Sequence, residues 1–165
     1  MRKSARALDR IDLRILAALQ ADGRITNAAL AERIGLSPSP CLERVRRLEQ
    51  TGFIRRYTAE IDLSPVTRTV TVFAEVTLAS HAQADFARFE AALAAEPAVV
   101  EAHCVGGGID YVLRIVARDI ADYHETSERL LASAPEVANL TSYVAIRRVK
   151  ADSGLPLDRL ADPEA

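Results

Sequence analysis

Ser37-Pro38-Ser39-Pro40 constrains the fold of this chain more than any other stretch of it. Two prolines one residue apart cannot lie inside a helix or a central strand, since each lacks an N–H and biases its predecessor away from helical backbone. They can open a helix, where the first N–H groups have no intrahelical partner anyway. A helix therefore starts at one of the two Ser-Pro steps, and the restriction on a residue before proline makes Ser39 the expected cap. It continues through residues 41–51 and stops at Gly52. Upstream, Thr26 caps a two-turn helix that turns Ala29, Leu30 and Ile34 inward and ends at Gly35. Earlier still, Leu8, Ile11, Ile15 and Leu19 recur at helical spacing, with Leu13 and Leu16 widening the stripe, so a first helix covers 8–21 and ends at Asp22-Gly23.

Two short helices joined by a tight glycine turn, the second rich in arginine, form a helix-turn-helix pattern. On the third helix Cys41, Val45 and Leu48 make the buried stripe, with Arg44 and Arg47 expected on the opposite side and Arg46 on the flank. Residues 53–61 have the β-prone alternation of a short strand. A major groove about 12 Å wide admits one helix and lets its first residues reach base edges. Ser37, Ser39, Arg44 and Arg47, with Glu43 beside them, are the expected DNA-facing residues. The competing reading has the arginines merely solvating a face and pairing with Glu43 and Glu49. Charge favours the first, because residues 1–61 carry 12 Lys+Arg against 7 Asp+Glu while residues 62–165 carry 9 against 16.

The second half changes period. Residues 70–78 are β-branched and near-alternating, and Phe86, Phe89 and Leu93 then mark a helix that Glu96-Pro97 ends. Strands follow at 99–105 and 111–117 around Gly106-Gly107-Gly108, then a helix capped by Asp119 and carrying Tyr123, Ser127 and Leu130, and a last strand at about 140–149. The order βαββαβ is the ferredoxin-like split. The fold class is thus α+β: a helix-turn-helix domain over 1–61, a linker at 62–69, a ferredoxin-like domain over 70–150 and a loosely held polar tail at 151–165. Two helices cover one face of such a sheet, and dimerisation is expected to cover the apolar side chains on the other.

Several function classes fall away. No apolar run reaches the ~18 residues of a membrane span, and Arg2-Lys3 is not followed by a signal-type apolar stretch, so a cytoplasmic location with no membrane partner is expected. Cys41 and Cys104 lie far apart and read as core residues; with His81, His103 and His124 they form no metal-ligand spacing. Nucleophile–base pairing and the P-loop Gly-Lys-Ser/Thr are both missing, so neither an enzyme nor a cofactor is expected.

The segments Leu8-Asp9-Arg10-Ile11-Asp12, Asp22-Gly23-Arg24-Ile25, Gly35 through Glu49, and Gly52-Phe53-Ile54 resemble the Lrp/AsnC (feast/famine) transcriptional regulators, closest to the leucine-responsive branch. Val105-Gly106-Gly107-Gly108-Ile109-Asp110-Tyr111 is similar to the Gly-x-x-Asp-Tyr effector loop of that family. The resemblance implies an N-terminal winged helix-turn-helix over 1–61 joined by a hinge at 62–69 to a ligand-sensing ferredoxin-like (RAM-type) domain, and homodimers assembling further, commonly to octamers, on double-stranded DNA. It also implies an amino-acid effector bound between dimers near Gly106, Gly107, Asp110 and Tyr111. Read from its residues alone, the loop has two meanings: glycine N–H groups that approach a carboxylate while Asp110 accepts an ammonium, or a plain β-turn, which residue chemistry by itself favours. Gly108 and Arg147-Arg148 depart from the leucine-responsive pattern, so the resemblance does not carry the identity of the effector. The expected function is sequence-specific, amino-acid-responsive transcription regulation; the alternative is ligand-independent DNA compaction.

Overall fold

The computed structural model describes residues 8–62, 65–151 and 154–160. Parts of the expected hinge (63–64) and of the tail (152–153 and 161–165) lie outside the described residues. Two compact units result, one holding the chain up to Glu60 together with residues from Lys150 onward, the other Ile61–Val149.

In the first unit, α1 (Arg10–Ala21) opens on a reciprocal capping box made of two aspartates. Asp9 Oδ1 accepts from the Asp12 amide at 2.8 Å while Asp12 Oδ2 accepts from the Asp9 amide at 3.2 Å, which leaves Leu8 outside the helix. Thr26 caps α2 (Asn27–Ile34), and Gly35 ends it at φ +78°, a conformation glycine adopts without strain. Leu30, Ala31 and Ile34 turn inward, so Ala31 takes the core position expected of Ala29. The third helix, α3 (Pro38–Gln50), begins at the first Ser-Pro step rather than the second, with Ser37 as cap. Pro40 tolerates the helix because the carbonyl its ring would strike, that of Leu36, lies before the first turn. Ile15, Leu30, Cys41 and Leu48 form the centre of this unit's core.

Residues 53–61 do not pair as a strand among the described residues. Ile54 donates its amide to the Leu48 carbonyl at 3.1 Å and Tyr57 donates its hydroxyl to Glu49 at 3.0 Å, so the segment hangs on α3 instead of joining a sheet ladder. The tail is not loose where it is described. Gln20 Nε2 donates to the Leu155 carbonyl at 2.8 Å and Gln20 Oε1 accepts from the Leu155 amide at 2.9 Å, so a side-chain amide pairs with one peptide group on each edge. The short α6 (Leu157–Leu160) follows against α1.

The second unit is β1 (Val70–Leu78), α4 (Gln83–Ala95), β2 (Val99–Cys104), β3 (Tyr111–Ala117), α5 (Ile120–Ser133) and β4 (Val137–Val144). Its sheet is antiparallel in the order β2-β3-β1-β4, the ferredoxin-like arrangement. Val72, Ala74, Val76, Leu113 and Ile115 face Phe89, Leu93, Tyr123 and Leu130 of the helices. β4 starts and ends earlier than its composition suggests. The Val137 amide turns back to the Ala134 carbonyl at 3.1 Å, which puts the chain straight onto Leu78, and β1 offers no partner beyond Thr71, whose carbonyl accepts from Ala145 at 2.8 Å. The uncovered face carries Phe73, Val112, Val116 and Tyr143, but it is more polar than expected. Tyr143 donates to Glu75 at 3.1 Å and Arg114 to Glu101 at 2.9 Å among them. Cys41 is buried as expected, whereas Cys104 is exposed near the end of edge strand β2, beyond the helices' cover.

Candidate functional site

At about 3.6 residues per turn, Cys41, Arg44, Val45 and Leu48 share one arc of α3, and Arg47 borders it. Both arginines therefore point at α1 instead of away from it. Arg44 Nη1 donates to Asp12 Oδ1 at 2.8 Å and to Asp9 Oδ2 at 2.6 Å, and Arg47 Nη2 donates to Asp12 Oδ2 at 2.5 Å. Asp12 is 1% exposed, so its charge is matched entirely from inside the unit. Burial pushes the Asp9 carboxyl up, but the Arg44 hydrogen bond and the Asp12 amide outweigh it and hold Asp9 below the usual carboxylate range. The Asp9 and Asp12 hydrogen bonds in turn raise the Arg44 guanidinium.

This corrects the expected position of Arg44 and Arg47 on the outer side of α3. That side carries Ser39, Leu42, Glu43, Arg46 and Gln50, all exposed, with Ser37 at its start. Among the described residues no ion pair is formed by Arg46. A wheel drawn through Cys41, Val45 and Leu48 finds Arg46 from the sequence; what the sequence reading missed was that Arg44 falls inside the stripe. Asn27 Nδ2 donates to the Pro38 carbonyl at 2.8 Å and ties the start of α3 to α2.

The second candidate site is the β2–β3 connection. A Cβ added to Gly106, Gly107 or Gly108 would meet nothing within 4 Å, so the loop backbone is open to an incoming group. Gly107 alone needs glycine for its conformation, at φ +146°. Asp110 closes the loop: its carbonyl accepts from Val105 at 2.9 Å and its amide donates to Val76 at 2.9 Å. Its carboxylate, expected to be available for an ammonium, is already engaged. Oδ2 accepts from the Leu78 amide at 2.8 Å, and Oδ1 lies 3.0 Å from His81 Nε2. Tyr111 is buried against Phe86 and Phe89 and donates its hydroxyl to Glu90 at 3.1 Å; burial and then the Glu90 carboxylate push that hydroxyl well up. Gly106, Gly107 and Gly108 are thus the exposed part of the loop, while Asp110 and Tyr111 fasten it. His81 and Glu90 carry no sequence signal for this role, because their contact with the loop depends on tertiary placement of α4.

A winged helix-turn-helix DNA-binding model matches residues 8–55 and a Lrp/AsnC ligand binding domain model matches residues 71–155. The leucine-responsive regulatory protein of Salmonella typhimurium is 41% identical over 154 residues, covering 93% of this chain and 94% of that one. Its counterpart from Escherichia coli K12 is 40% identical over the same length, with the same coverage. Among solved structures, an AsnC family transcriptional regulator from Agrobacterium tumefaciens superposes with TM-score 0.86 at 38% identity, covering 93% of this chain and 99% of that chain. A transcriptional regulator of Neisseria meningitidis in complex with L-Met superposes with TM-score 0.86 at 32% identity and equal coverage. A feast or famine regulatory protein of M. tuberculosis complexed with L-methionine gives TM-score 0.81 at 32% identity, covering 88% of this chain and 97% of that chain.

Proposed function

This chain belongs to the Lrp/AsnC family of transcriptional regulators, and from that premise we propose that its effector is a free amino acid received at the Gly106–Gly108 loop, whose binding changes the affinity of α3 for DNA. The observation that carries the reading is the open glycine backbone fastened at both ends by Asp110. Successive N–H groups of such a loop suit a carboxylate. Solved relatives bound to L-methionine support an amino acid as the class of ligand. Coupling to DNA requires that the effector bind the two states unequally.

On the DNA side, Ser37, Ser39 and Arg46 are the proposed groove-facing residues, with Glu43 beside them. Arg44 and Arg47 serve DNA binding by fixing the pose of α3 on α1, since contact with a base would require them to leave Asp12. The exposed Phe73 and Tyr143, with Val112 and Val116, support a homodimer formed through the open sheet face, which would set two α3 helices on two half-sites. Further assembly towards an octamer is proposed from the family resemblance. No helix among the described residues is long and apolar enough to cross a membrane, and a cytoplasmic location is proposed with it.

The test is a thermal-shift screen of the purified protein against the twenty amino acids, followed by DNA-binding isotherms with and without the hit. A ligand of the folded state raises its apparent stability. A hit that also moves the DNA isotherm supports the reading. No shift with any amino acid sinks it and favours ligand-independent DNA compaction, for which a steep salt dependence and weak sequence preference are the marks.

A further inference from the structure

We propose that His81 is a positioning residue for the effector loop: it holds the Asp110 carboxylate, and through it the Gly106–Gly108 turn, in the ligand-receiving conformation. The inference rests on the reading of that loop as the effector site and adds a residue to it from outside the loop.

Four hydrogen bonds meet at Asp110. Three of them, from Val105, to Val76 and from Leu78, use backbone groups of the partner residue. The fourth partner, His81 Nε2 at 3.0 Å from Oδ1, is the single side chain in the set. The Asp110 side chain is 13% exposed, so an oxygen left without a donor there costs more than it would in open water. His81 is placed for the task from three directions. The Ala79 amide is held by the Glu136 carbonyl at 2.8 Å, Ser80 Oγ accepts from the Ala82 amide at 3.2 Å, and the imidazole stacks on Phe86 at 6.1 Å with an interplanar angle of 29°. Phe86 in turn lies 5.9 Å from Tyr111, the residue that follows Asp110. One side chain thus braces both ends of the Asp110-Tyr111 step.

Its ring remains 70% exposed. A side chain so exposed contributes little to the core, which separates its loop-holding role from global stability. Glutamine can offer an amide N–H to the same carboxylate, and phenylalanine can keep the stack but has no donor. These two replacements therefore distinguish the bond from the stacking.

The experiment compares wild type with His81→Ala, His81→Gln and His81→Phe. Ligand binding is probed with the twenty free L-amino acids, L-methionine and L-leucine first, by thermal shift and then titration calorimetry with the best of them. Amide hydrogen exchange at Val105 to Asp110 is followed in the ligand-free proteins. His81→Ala and His81→Phe are expected to exchange faster at these amides and to bind the amino acid roughly tenfold more weakly, as for loss of one hydrogen bond to a charged group. His81→Gln recovers most of both and keeps its unliganded melting temperature near wild type, and the DNA affinities of all three unliganded variants stay near wild type. Equal exchange in wild type and His81→Ala overturns the proposal whatever the ligand, as does recovery by His81→Phe without recovery by His81→Gln. If wild type binds none of the twenty while the exchange difference persists, the amino-acid reading fails and the positioning of the loop by His81 stands.

Discussion

Arg47 and Asp12 meet inside the first unit, guanidinium Nη2 to carboxylate Oδ2 at 2.5 Å, across the contact between α3 and α1. The pair makes a residue of α3 part of the scaffold. A carboxylate that is 1% exposed depends on its two arginines, and those arginines depend on it, although they remain about a third exposed. Asp12→Ala is therefore expected to destabilise the first unit by about 3 kcal/mol, the low end for breaking a buried pair because the stranded arginines can partly reach water. Asp9→Ala, at a half-exposed position, should cost about 1 kcal/mol, mostly the helix cap. Urea unfolding followed by a probe in α1 measures both, and equal costs would show that Asp12 is not the keystone.

The same geometry separates two kinds of arginine on α3. Arg46→Ala should weaken binding to a selected duplex by about 1–3 kcal/mol and reduce discrimination against random DNA. Arg44→Ala should weaken both by the same factor, by loosening the helix. Selection from a random duplex pool, followed by anisotropy titrations on the selected and a scrambled duplex, reads the two ratios. A specificity loss confined to Arg44→Ala would return Arg44 to the groove.

The contrast explains how much was legible beforehand. Local chemistry gave the Thr26 cap, the Gly35 stop, the Asp119 cap and the limits of β1, because each depends on a few neighbouring residues. The ferredoxin-like order followed from the alternation of periods. What failed needed a partner distant in sequence. Arg44 looked like an outward charge until Asp12 was brought beside it from 32 residues away, and Asp110 looked like a free acceptor until Leu78 and His81 engaged it. The Gln20–Leu155 pairing spans 135 residues and leaves no local trace. The choice between Ser37 and Ser39 turned on a carbonyl outside the helix, a detail that a rule about the residue before proline does not contain.

Within the glycine loop the three positions are not equivalent. Each has room for a Cβ, but only Gly107, at φ +146°, is in backbone space that side chains avoid. Gly107→Ala should cost about 1–3 kcal/mol as strain or shift the loop, and weaken amino-acid binding with it. Gly106→Ala should leave stability within about 0.5–1 kcal/mol of wild type, the sign favouring the less flexible chain. Parallel denaturation and calorimetry on the two variants test this. Equal effects would mean that the conformation of Gly107 is not what the loop requires.

Acid stability offers a test in the second unit. Arg118 bonds Asp122 at 2.7 Å, and this bond, with the Arg118 amide, holds the Asp122 carboxyl at about 2, below its ordinary 3.8. The folded state thus takes up this proton less readily than the unfolded state. The stabilisation is complete above the unfolded value and is lost as pH falls from there towards about 2. Asp9, held low by Arg44, works in the same direction in the first unit. The melting temperature of wild type should therefore decline as pH is lowered from 5 to 2, and Asp122→Asn, which cannot titrate there, should show a shallower decline from a lower starting point. Because Asp119 still caps α5 through the amide of residue 122, the helix itself should persist in the variant. Melting curves at half-unit pH steps decide the matter, and a slope unchanged by Asp122→Asn would assign the acid sensitivity to other carboxylates.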